Sequence, residues 1–294
     1  MKKMTLITTI AMGVIAGAVQ LGPSRAHAVA TCPPATGHRG AQTEAPENTV
    51  PSVQAALART EEAEVDIQFS KAGSSGSFPI LMHDATVDRT TNGTGTPGSM
   101  YLTAILQLWA ADYAPWNVDP RYTNTKVPYI YDVLVAAKNA NGRLLLDMHA
   151  DPDKAQADKL VYYLDTTGMR DRVTVMASPT IIQHFRDYGY GDLNFRWLEY
   201  SPAGLIRRGS AITAVTNRYA VPLRDVDSPA LISYWHSYGI NVYVWTTDDD
   251  TQDNVTTWAR LASYGVDGIV TGRLPEYQAW LATCTVPTAK VPQR

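Results

Sequence analysis

Two histidines offer the clearest acid–base chemistry in this chain, because each of them borders a strand-like run of residues. His38 and His83 can each exchange a proton near neutral pH, where imidazole and imidazolium coexist. Arg39 follows His38 directly, and its planar guanidinium suits a phosphate group. His184 and His236 fall on predicted helices, and we interpret them as ordinary core or surface residues. His38, His83 and Arg39 together predict proton transfer on an anionic, phosphate-containing substrate.

Three carboxylates at predicted strand ends form a candidate metal site. Glu64 and Asp66 alternate along one strand and therefore share a face, and Asp147 lies near the end of the next predicted barrel strand. Carboxylate oxygens favour Mg²⁺ or Ca²⁺ over Zn²⁺. The alternative is that one or two of these acids cap helices or pair with arginines. Other candidate side chains at predicted strand ends are His149, Glu199 and Trp245.

The elements that must hold these side chains alternate between strand and helix along most of the chain. We predict eight barrel strands, at residues 36–39, 63–69, 143–148, 173–177, 194–199, 211–216, 241–245 and 268–271. Eight strands with intervening helices predict an α/β fold, the (βα)8 TIM barrel, whose strands all end at one mouth. Trp245 would then either form an apolar platform for a leaving group or pack in the barrel.

A small insertion is predicted over the C-terminal mouth of this barrel. Residues 71–77 are too few for a parallel crossover, so residues 78–82 should return as an antiparallel hairpin strand. His83 then lies above the rim rather than on a barrel strand. Residues 94–128 follow as an aromatic-rich segment, which we interpret as a wall over the pocket.

The N-terminus predicts export. Residues 1–28 combine a positive start, an apolar run and an Ala-His-Ala cleavage site, which is typical of a secretory signal peptide; a membrane anchor is the alternative. Residues 29–294 then form a single domain. Cleavage removes Lys2, Lys3 and Arg25 and no acid, so the net charge moves from −3 to −6. We therefore expect a secreted protein that neither binds nucleic acid nor inserts stably into a membrane.

The two cysteines, Cys32 and Cys284, lie at opposite ends of the mature chain. An oxidising compartment permits a disulfide between them, and the ends of a closed barrel are neighbours. Two unrelated thiols are the alternative.

Motifs spread along the chain resemble those of the glycerophosphodiester phosphodiesterase family. The matching stretches, collinear between residues 36 and 282, are His38-Arg39-Gly40, Pro46-Glu47-Asn48-Thr49, Glu64-x-Asp66, His83-Asp84, Arg89-Thr90-Thr91, Val244-Trp245-Thr246 and Gly265-Val266-Asp267-Gly268-Ile269-Val270-Thr271. The resemblance implies a (βα)8 barrel that hydrolyses glycerophosphodiesters to glycerol 3-phosphate and an alcohol, through a cyclic phosphate. It also implies that His38 and His83 are the acid–base pair, that Glu64 and Asp66 bind the metal, and that Arg39 holds the phosphate.

Two positions depart from the family pattern. The usual Glu-x-Lys pair is Asp147-x-His149 here, and the usual late Thr-Asp is Thr271-Gly272. We expect Asp147 to complete the metal site and His149 to bind phosphate in a pH-dependent way. Metal identity, Ca²⁺ or Mg²⁺, and the alcohol headgroup stay open.

Three other functions compete with this one. A phospholipase D-like enzyme of the secreted sphingomyelinase D type uses the same barrel with two histidines and a metal. A glycoside hydrolase would use the paired carboxylates but leave the histidines without a task. A non-catalytic binding barrel would need neither the carboxylates nor the histidines for its function. We expect a monomer acting on a small glycerophosphodiester, a lysolipid or a teichoic-acid-type polymer.

Overall fold

The computed structural model describes residues 32–198, 218–247 and 251–285. Its nine strands are β1 Ala35–Gly37, β2 Glu62–Phe69, β3 Pro79–Leu81, β4 Arg143–Met148, β5 Val173–Ala177, β6 Asn194–Leu198, β7 Arg218–Pro222, β8 Asn241–Trp245 and β9 Gly268–Thr271. The helices in the described ranges are α1 Val50–Leu57, α2 Leu102–Ile105, α3 Ile130–Asn139, α4 Lys154–Thr167, α5 Pro179–Asp187, α6 Pro229–Ser237, α7 Val255–Tyr264 and α8 Leu274–Leu281.

The sheet closes into a barrel because its first strand pairs on both sides. β1 is parallel to β2, with Thr36 opposite Glu62, and parallel to β9, with Gly37 opposite Thr271. The other parallel pairs run in sequence from β4 through β9, and β2 pairs with β4. Eight parallel strands with helices therefore form the predicted (βα)8 barrel.

The hairpin outside the barrel is also confirmed. β3 pairs antiparallel with the end of β2, with Ile67 opposite Leu81 and Phe69 opposite Pro79. His83 therefore follows β3, a strand that is not part of the barrel. The hairpin therefore brings a distant histidine over the mouth without using a barrel strand.

The main core lies between the strands and the surrounding helices. Strand residues such as Val65 and Val244 are fully buried there, together with Leu134 and Trp258 from the helices. Parallel strands covered on both faces need apolar side chains in near-continuous runs, which is what β4 and β5 show.

One strand was missed, and several predictions cannot be compared with the structure. β7 is Arg218–Pro222, a segment that we left unassigned. Its short apolar run ends in proline, and its pairing with β6 and β8 gives it strand structure. The predicted leader 1–28, Glu199, the helix at 202–208 and the strand at 211–216 lie outside the described residues.

Cys32 and Cys284 form a disulfide with a Cα–Cα distance of 6.2 Å. The bond joins the chain just before β1 to the chain just after α8, next to the seam where the barrel closes. The expected pairing is therefore present. Within the described chain, no helix combines the length and the hydrophobicity that crossing a bilayer requires.

Candidate active site

A tight turn after β1 presents His38 and Arg39 at the mouth. The amide of His38 donates to the carbonyl of Thr271 at 3.0 Å, which continues the β1–β9 pairing. The chain then turns through left-handed backbone, with φ of 49° at Arg39 and 82° at Gly40. A Cβ at Gly40 would overlap Ser52, so only glycine allows the chain to pass α1 this closely.

His38 is held in surroundings that favour its neutral form. Burial, followed by the positive charge of Arg39, lowers the pKa of His38 to about 3. Its Nε2 lies 3.5 Å from the hydroxyl oxygen of Thr247, while its buried Nδ1 has no hydrogen-bond partner among the described residues. A neutral imidazole can accept a proton, so this position suits a general base.

The three predicted carboxylates meet at one point. Single oxygens of Glu64, Asp66 and Asp147 all lie within 4.8 Å of one another. Asp66 and Asp147 are directly opposite each other in the parallel pairing of β2 with β4. Asn48 holds Asp66 in place, because its amide donates to Oδ2 at 2.6 Å and its oxygen accepts from the Asp66 backbone at 3.0 Å.

The electrostatics of this group fit a cation. Burial, and then the negative charges of Asp66 and Asp147, raise the pKa of Glu64 well above its ordinary value. Oε2 of Glu64 accepts from the Arg39 amide at 2.7 Å, but its Oε1 and Oδ1 of Asp147 are buried without a partner in the described chain. Buried carboxylate oxygens without a partner in the described chain suit a divalent metal ion, which prefers oxygen ligands.

His149 lies between these acids and the mouth. Its Nε2 is 3.0 Å from Oδ1 of Asp66 and 3.5 Å from Oδ2 of Asp147. Burial disfavours the protonated form of His149. Its hydrogen bonds to Asp147 and Asp66 have the larger effect, and they raise the pKa of His149 to about 11. Burial likewise favours the neutral acid at Asp66, yet the hydrogen bond from His149 leaves the pKa of Asp66 below its ordinary value.

His83 reaches the same place from the hairpin. The centres of the His83 and His149 rings are 4.6 Å apart. Nδ1 of His83 lies 2.6 Å from Oδ1 of Asp84, which leaves Nε2 of His83 for a substrate. Asp84 therefore orients the His83 ring.

A salt-bridge network that the sequence did not predict connects the two histidine loops. Arg89 makes two bonds to Glu47, at 2.9 and 2.7 Å, and two to Asp84, at 2.5 and 3.0 Å. Glu47 also accepts from Nη1 of Arg39 at 3.0 Å. The motif Arg89-Thr90-Thr91 was the available signal, but only the fold shows which acids Arg89 meets.

The insertion supports this network from outside. The backbone amide of Glu47 donates to the hydroxyl oxygen of Tyr113 at 2.8 Å, and the hydroxyl of Tyr122 donates to the carbonyl of Glu44 at 2.9 Å. Burial, and then the charge of Glu47, raise the pKa of Tyr113. The aromatic segment thus packs against the loop that carries Glu47 and Asn48.

A small apolar cluster lies within the barrel, beside the acidic group. Trp245, at the end of β8, packs against its four buried members, one each from β4, β5, β6 and β7, namely Leu145, Met176, Leu198 and Ala220. Both predicted roles for Trp245 are compatible with this position, since it is only partly buried.

The end of β9 is held by a buried acid that the sequence analysis missed. Asp253 accepts from the hydroxyls of Thr246 and Thr271 and from the amide of Gly272, at 2.6 to 2.9 Å. A Cβ at Gly272 would overlap the side chain of Gln42. Gln42, in the loop after His38, therefore lies directly against Gly272.

Comparison with known proteins assigns the family. A profile of the glycerophosphoryl diester phosphodiesterase family matches residues 38–275. The chain belongs to this family. It is therefore a glycerophosphodiester phosphodiesterase, a hydrolase of phosphoric diesters. A phospholipase D-like enzyme and a non-catalytic barrel are not favoured.

Individual relatives agree with the family assignment. Glycerophosphodiester phosphodiesterase 1 of Homo sapiens is 26% identical over 278 residues, covering 83% of this chain and 80% of the human protein. The glycerophosphodiester phosphodiesterase of Caldanaerobacter subterraneus is 24% identical over 245 residues, covering 80% of this chain and 91% of that protein.

Solved structures share the fold. A phosphodiesterase of Oleispira antarctica, in complex with its product sn-glycerol-3-phosphate, superposes with a TM-score of 0.73 at 18% identity, covering 85% of this chain and 97% of the other. The glycerophosphodiester phosphodiesterase of Agrobacterium tumefaciens gives 0.68 at 23% identity, covering 84% and 99%. At these identities, the likeness establishes the fold alone.

Proposed function

We propose that this glycerophosphodiester phosphodiesterase is an exported, metal-dependent enzyme that releases glycerol 3-phosphate and an alcohol. The observation that carries the proposal is the group of buried carboxylates beside two histidines at the barrel mouth. Buried carboxylates are costly unless positive charge compensates them, and a bound cation would do so while attracting an anionic substrate.

The carboxylates of Glu64, Asp66 and Asp147 would hold the metal. The unpaired buried oxygens of Glu64 and Asp147 fit a hard cation, so Ca²⁺ and Mg²⁺ are the candidates. When bound, the ion supplies positive charge to the phosphoryl oxygens in the transition state. Arg39 and His149 would bind the same oxygens from the protein side.

The two histidines divide the proton transfers. His38, neutral at physiological pH because of its lowered pKa, takes the proton of the glycerol 2-hydroxyl as that oxygen bonds to phosphorus. His83 protonates the alcohol oxygen as its bond to phosphorus breaks, and Asp84 holds the His83 ring for this transfer. Water then opens the cyclic phosphate, with the two proton transfers reversed, to give glycerol 3-phosphate.

Two observations support export. The leader at residues 1–28 is typical of a signal peptide, and the Cys32–Cys284 disulfide suits an oxidising compartment. We therefore propose a secreted monomer whose substrates lie outside the cytoplasm, among them free glycerophosphodiesters, lysolipids and teichoic-acid-type polymers.

A substrate panel tests the reaction. Glycerophosphocholine, lysophosphatidylcholine, sphingomyelin and a glycerol teichoic acid would each be incubated with the enzyme in Ca²⁺, Mg²⁺ or chelator. We expect release of glycerol 3-phosphate in one of the two metals and none in chelator. Choline release from sphingomyelin or lysophosphatidylcholine, without glycerol 3-phosphate from any substrate, would contradict the proposal.

Variants of the two histidines test the mechanism. His38→Gln and His83→Gln should each lower kcat by about 10²- to 10⁴-fold, the usual contribution of a general acid or base. His236→Gln is the matched control, because His236 is bonded to Asp267 at 2.9 Å on a helix outside the mouth. Near-normal turnover by either site variant would contradict the assigned roles.

A further inference from the structure

A second group of potential ligands lies next to the three carboxylates and shares Asp66 with them. Single ligand atoms of Asp66, His83 and His149 all lie within 4.8 Å of one another. Nε2 of His149 is 3.0 Å from Oδ1 of Asp66. Two ligands of one tetrahedral zinc ion are about 3.3 Å apart at typical bond lengths, so this pair is already nearly at the separation of bound ligands.

The donor atoms in this group are oriented for an ion. Oδ2 of Asp66 is bonded to Asn48, whereas Oδ1 accepts from Nε2 of His149, in a contact whose proton a bound ion would replace. Nδ1 of His83 is bonded to Asp84, so its Nε2 is the nitrogen left for a ligand bond. A carboxylate behind a ligating histidine is the usual support of a metal-bound imidazole.

The chemistry of the group differs from that of the neighbouring site. Two imidazole nitrogens and one carboxylate oxygen suit Zn²⁺ and similar first-row ions, whereas three carboxylates suit Ca²⁺ or Mg²⁺. We propose that Asp66, His83 and His149 form a second cation site that is selective for Zn²⁺-type ions. The site has access to solvent, since the His83 and His149 side chains are 34% and 26% exposed, and water can complete the coordination.

Occupation of this site has a consequence for turnover. An ion bound to Nε2 of His83 removes the lone pair that accepts and donates the proton, and binding to His149 displaces its proton. Zinc therefore inhibits the calcium- or magnesium-dependent reaction. This consequence rests on the proposed function, whereas the existence of the site does not.

His149 is the residue that makes the site possible in this chain. Lysine, which occupies the corresponding position in the family pattern, is a protonated point charge at neutral pH and has no free lone pair for zinc. Histidine keeps the possibility of a positive charge and adds a ligand nitrogen. The substitution His149→Lys therefore removes the second site and retains a cation beside the phosphate.

Cobalt spectroscopy tests the site without relying on activity. Tag-free protein would be saturated with Ca²⁺ and titrated with Co²⁺, and Zn²⁺ affinity would be measured by competition with a chromophoric chelator. We expect the intense visible absorption of four-coordinate Co²⁺ with nitrogen ligands. His149→Lys and His83→Gln should both abolish this absorption and weaken Zn²⁺ binding at least roughly tenfold. His184→Gln, which alters a surface histidine bonded to Asp151 at 2.9 Å, should change neither.

The outcomes separate the two proposals. Only the weak absorption of six-coordinate Co²⁺, or equal Zn²⁺ affinity in the native protein and in both site variants, overturns the second site. Circular dichroism shows whether each variant is folded. If His149→Lys does not fold, the cobalt spectrum of His83→Gln decides whether the second site exists. Absence of phosphodiesterase activity in all metals overturns the proposed reaction but leaves the cobalt result to be judged by itself. Turnover that resists Zn²⁺ while the cobalt bands are present contradicts the inhibitory role.

Discussion

The two halves of the barrel mouth differ in chemistry. On one side, three neighbouring strands, β1, β2 and β4, place the carboxylates and His38 together. On the other side, β5 to β8 contribute mainly apolar side chains and Trp245, which pack with Leu145 of β4, although the buried Arg196 of β6 also lies there. Asp147 and Met176 are opposite each other in adjacent strands and so face the same barrel interior, where the two chemistries meet.

The difference explains how a polar site keeps its strength inside a solvent-open barrel. Buried apolar side chains lie next to the charges, as Met176 does beside Asp147, and electrostatic interactions grow as the local dielectric falls. The polar half pairs many of its charges within β1, β2, β4 and the loops that follow them, but Glu62 pairs with Arg196 of β6, and one oxygen each of Glu64 and Asp147 is buried without a partner in the described chain. The polar half carries the charged residues, and the apolar side chains beside them lower the local dielectric.

The largest expected effect comes from breaking the polar half at Asp66. Asp66→Asn removes the carboxylate that both metal sets share, so kcat/KM should fall on the order of 10³-fold, or about 4 kcal/mol of transition-state stabilisation. Isothermal titration with Ca²⁺ and Mg²⁺ should show loss of metal binding. Retention of both metal binding and activity would remove Asp66 from the site.

Glu62 provides the control on the same strand. It pairs with the buried Arg196 at 3.2 Å, away from the metal ligands. Glu62→Gln should therefore leave metal binding intact but lower the free energy of unfolding by about 3 kcal/mol, because the guanidinium loses its buried partner. The two substitutions together separate a functional acid from a structural one.

A second prediction concerns the seam between β1 and β9, which carries the His38 loop. The double substitution Cys32→Ser and Cys284→Ser should lower the free energy of unfolding by about 3 kcal/mol, because the disulfide closes a long loop in the unfolded chain. Guanidinium unfolding without reductant measures the difference. Equal midpoints for the variant and the native protein would show that the seam is held by strand pairing alone.

The pH dependence of stability tests whether His38, in the polar half, is buried deeply enough to lower its pKa. The pKa of His38 is 6.5 ordinarily and about 3 in the folded protein. As pH falls, the unfolded chain therefore binds this proton before the folded protein does, so the stability of the folded protein rises with pH over this interval. Between pH 7 and pH 5, the native protein should lose about 2 kcal/mol more stability than His38→Gln. Parallel losses in both proteins would show that His38 titrates as an ordinary histidine.

The smallest effect is expected from the apolar half. Trp245→Ala should lower kcat/KM by about tenfold, equivalent to 1–2 kcal/mol of lost apolar contact. Metal affinity should not change, because Trp245 packs in an apolar cluster and is not among the candidate ligands. Trp245→Phe is the matched control and should recover most of the loss. A drop in metal affinity instead would show that the two halves are not separable.

Local patterns predicted most elements that carry the site. Apolar runs located β2, β4, β5 and β8 closely, and the short loop at 71–77 predicted the antiparallel β3. Thr49 caps α1 by accepting from the amide of Ser52. These features depend on neighbours in the chain, so a single sequence contains enough information to find them.

The contacts between distant loops were not predictable in the same way. Arg89 meets Glu47 across 42 positions in the chain, and Asp253 caps Gly272 across 19. The segment that forms β7 has a weak pattern of its own and depends on pairing with β6 and β8. In each case, the partner is chosen by the closed barrel and not by local spacing.

By itself, the sequence determined the barrel class, the positions of the two catalytic candidates and the three carboxylates, and the cysteines available for pairing, because each depends on residue type and local periodicity. Only the tertiary structure decided that His149 lies against Asp66, that Arg89 and Glu47 connect the histidine loops, and that an apolar cluster from β4 to β7 packs against Trp245. Barrel closure and the register between strands bring these residues together, and register is a property of pairs of strands that no single segment contains.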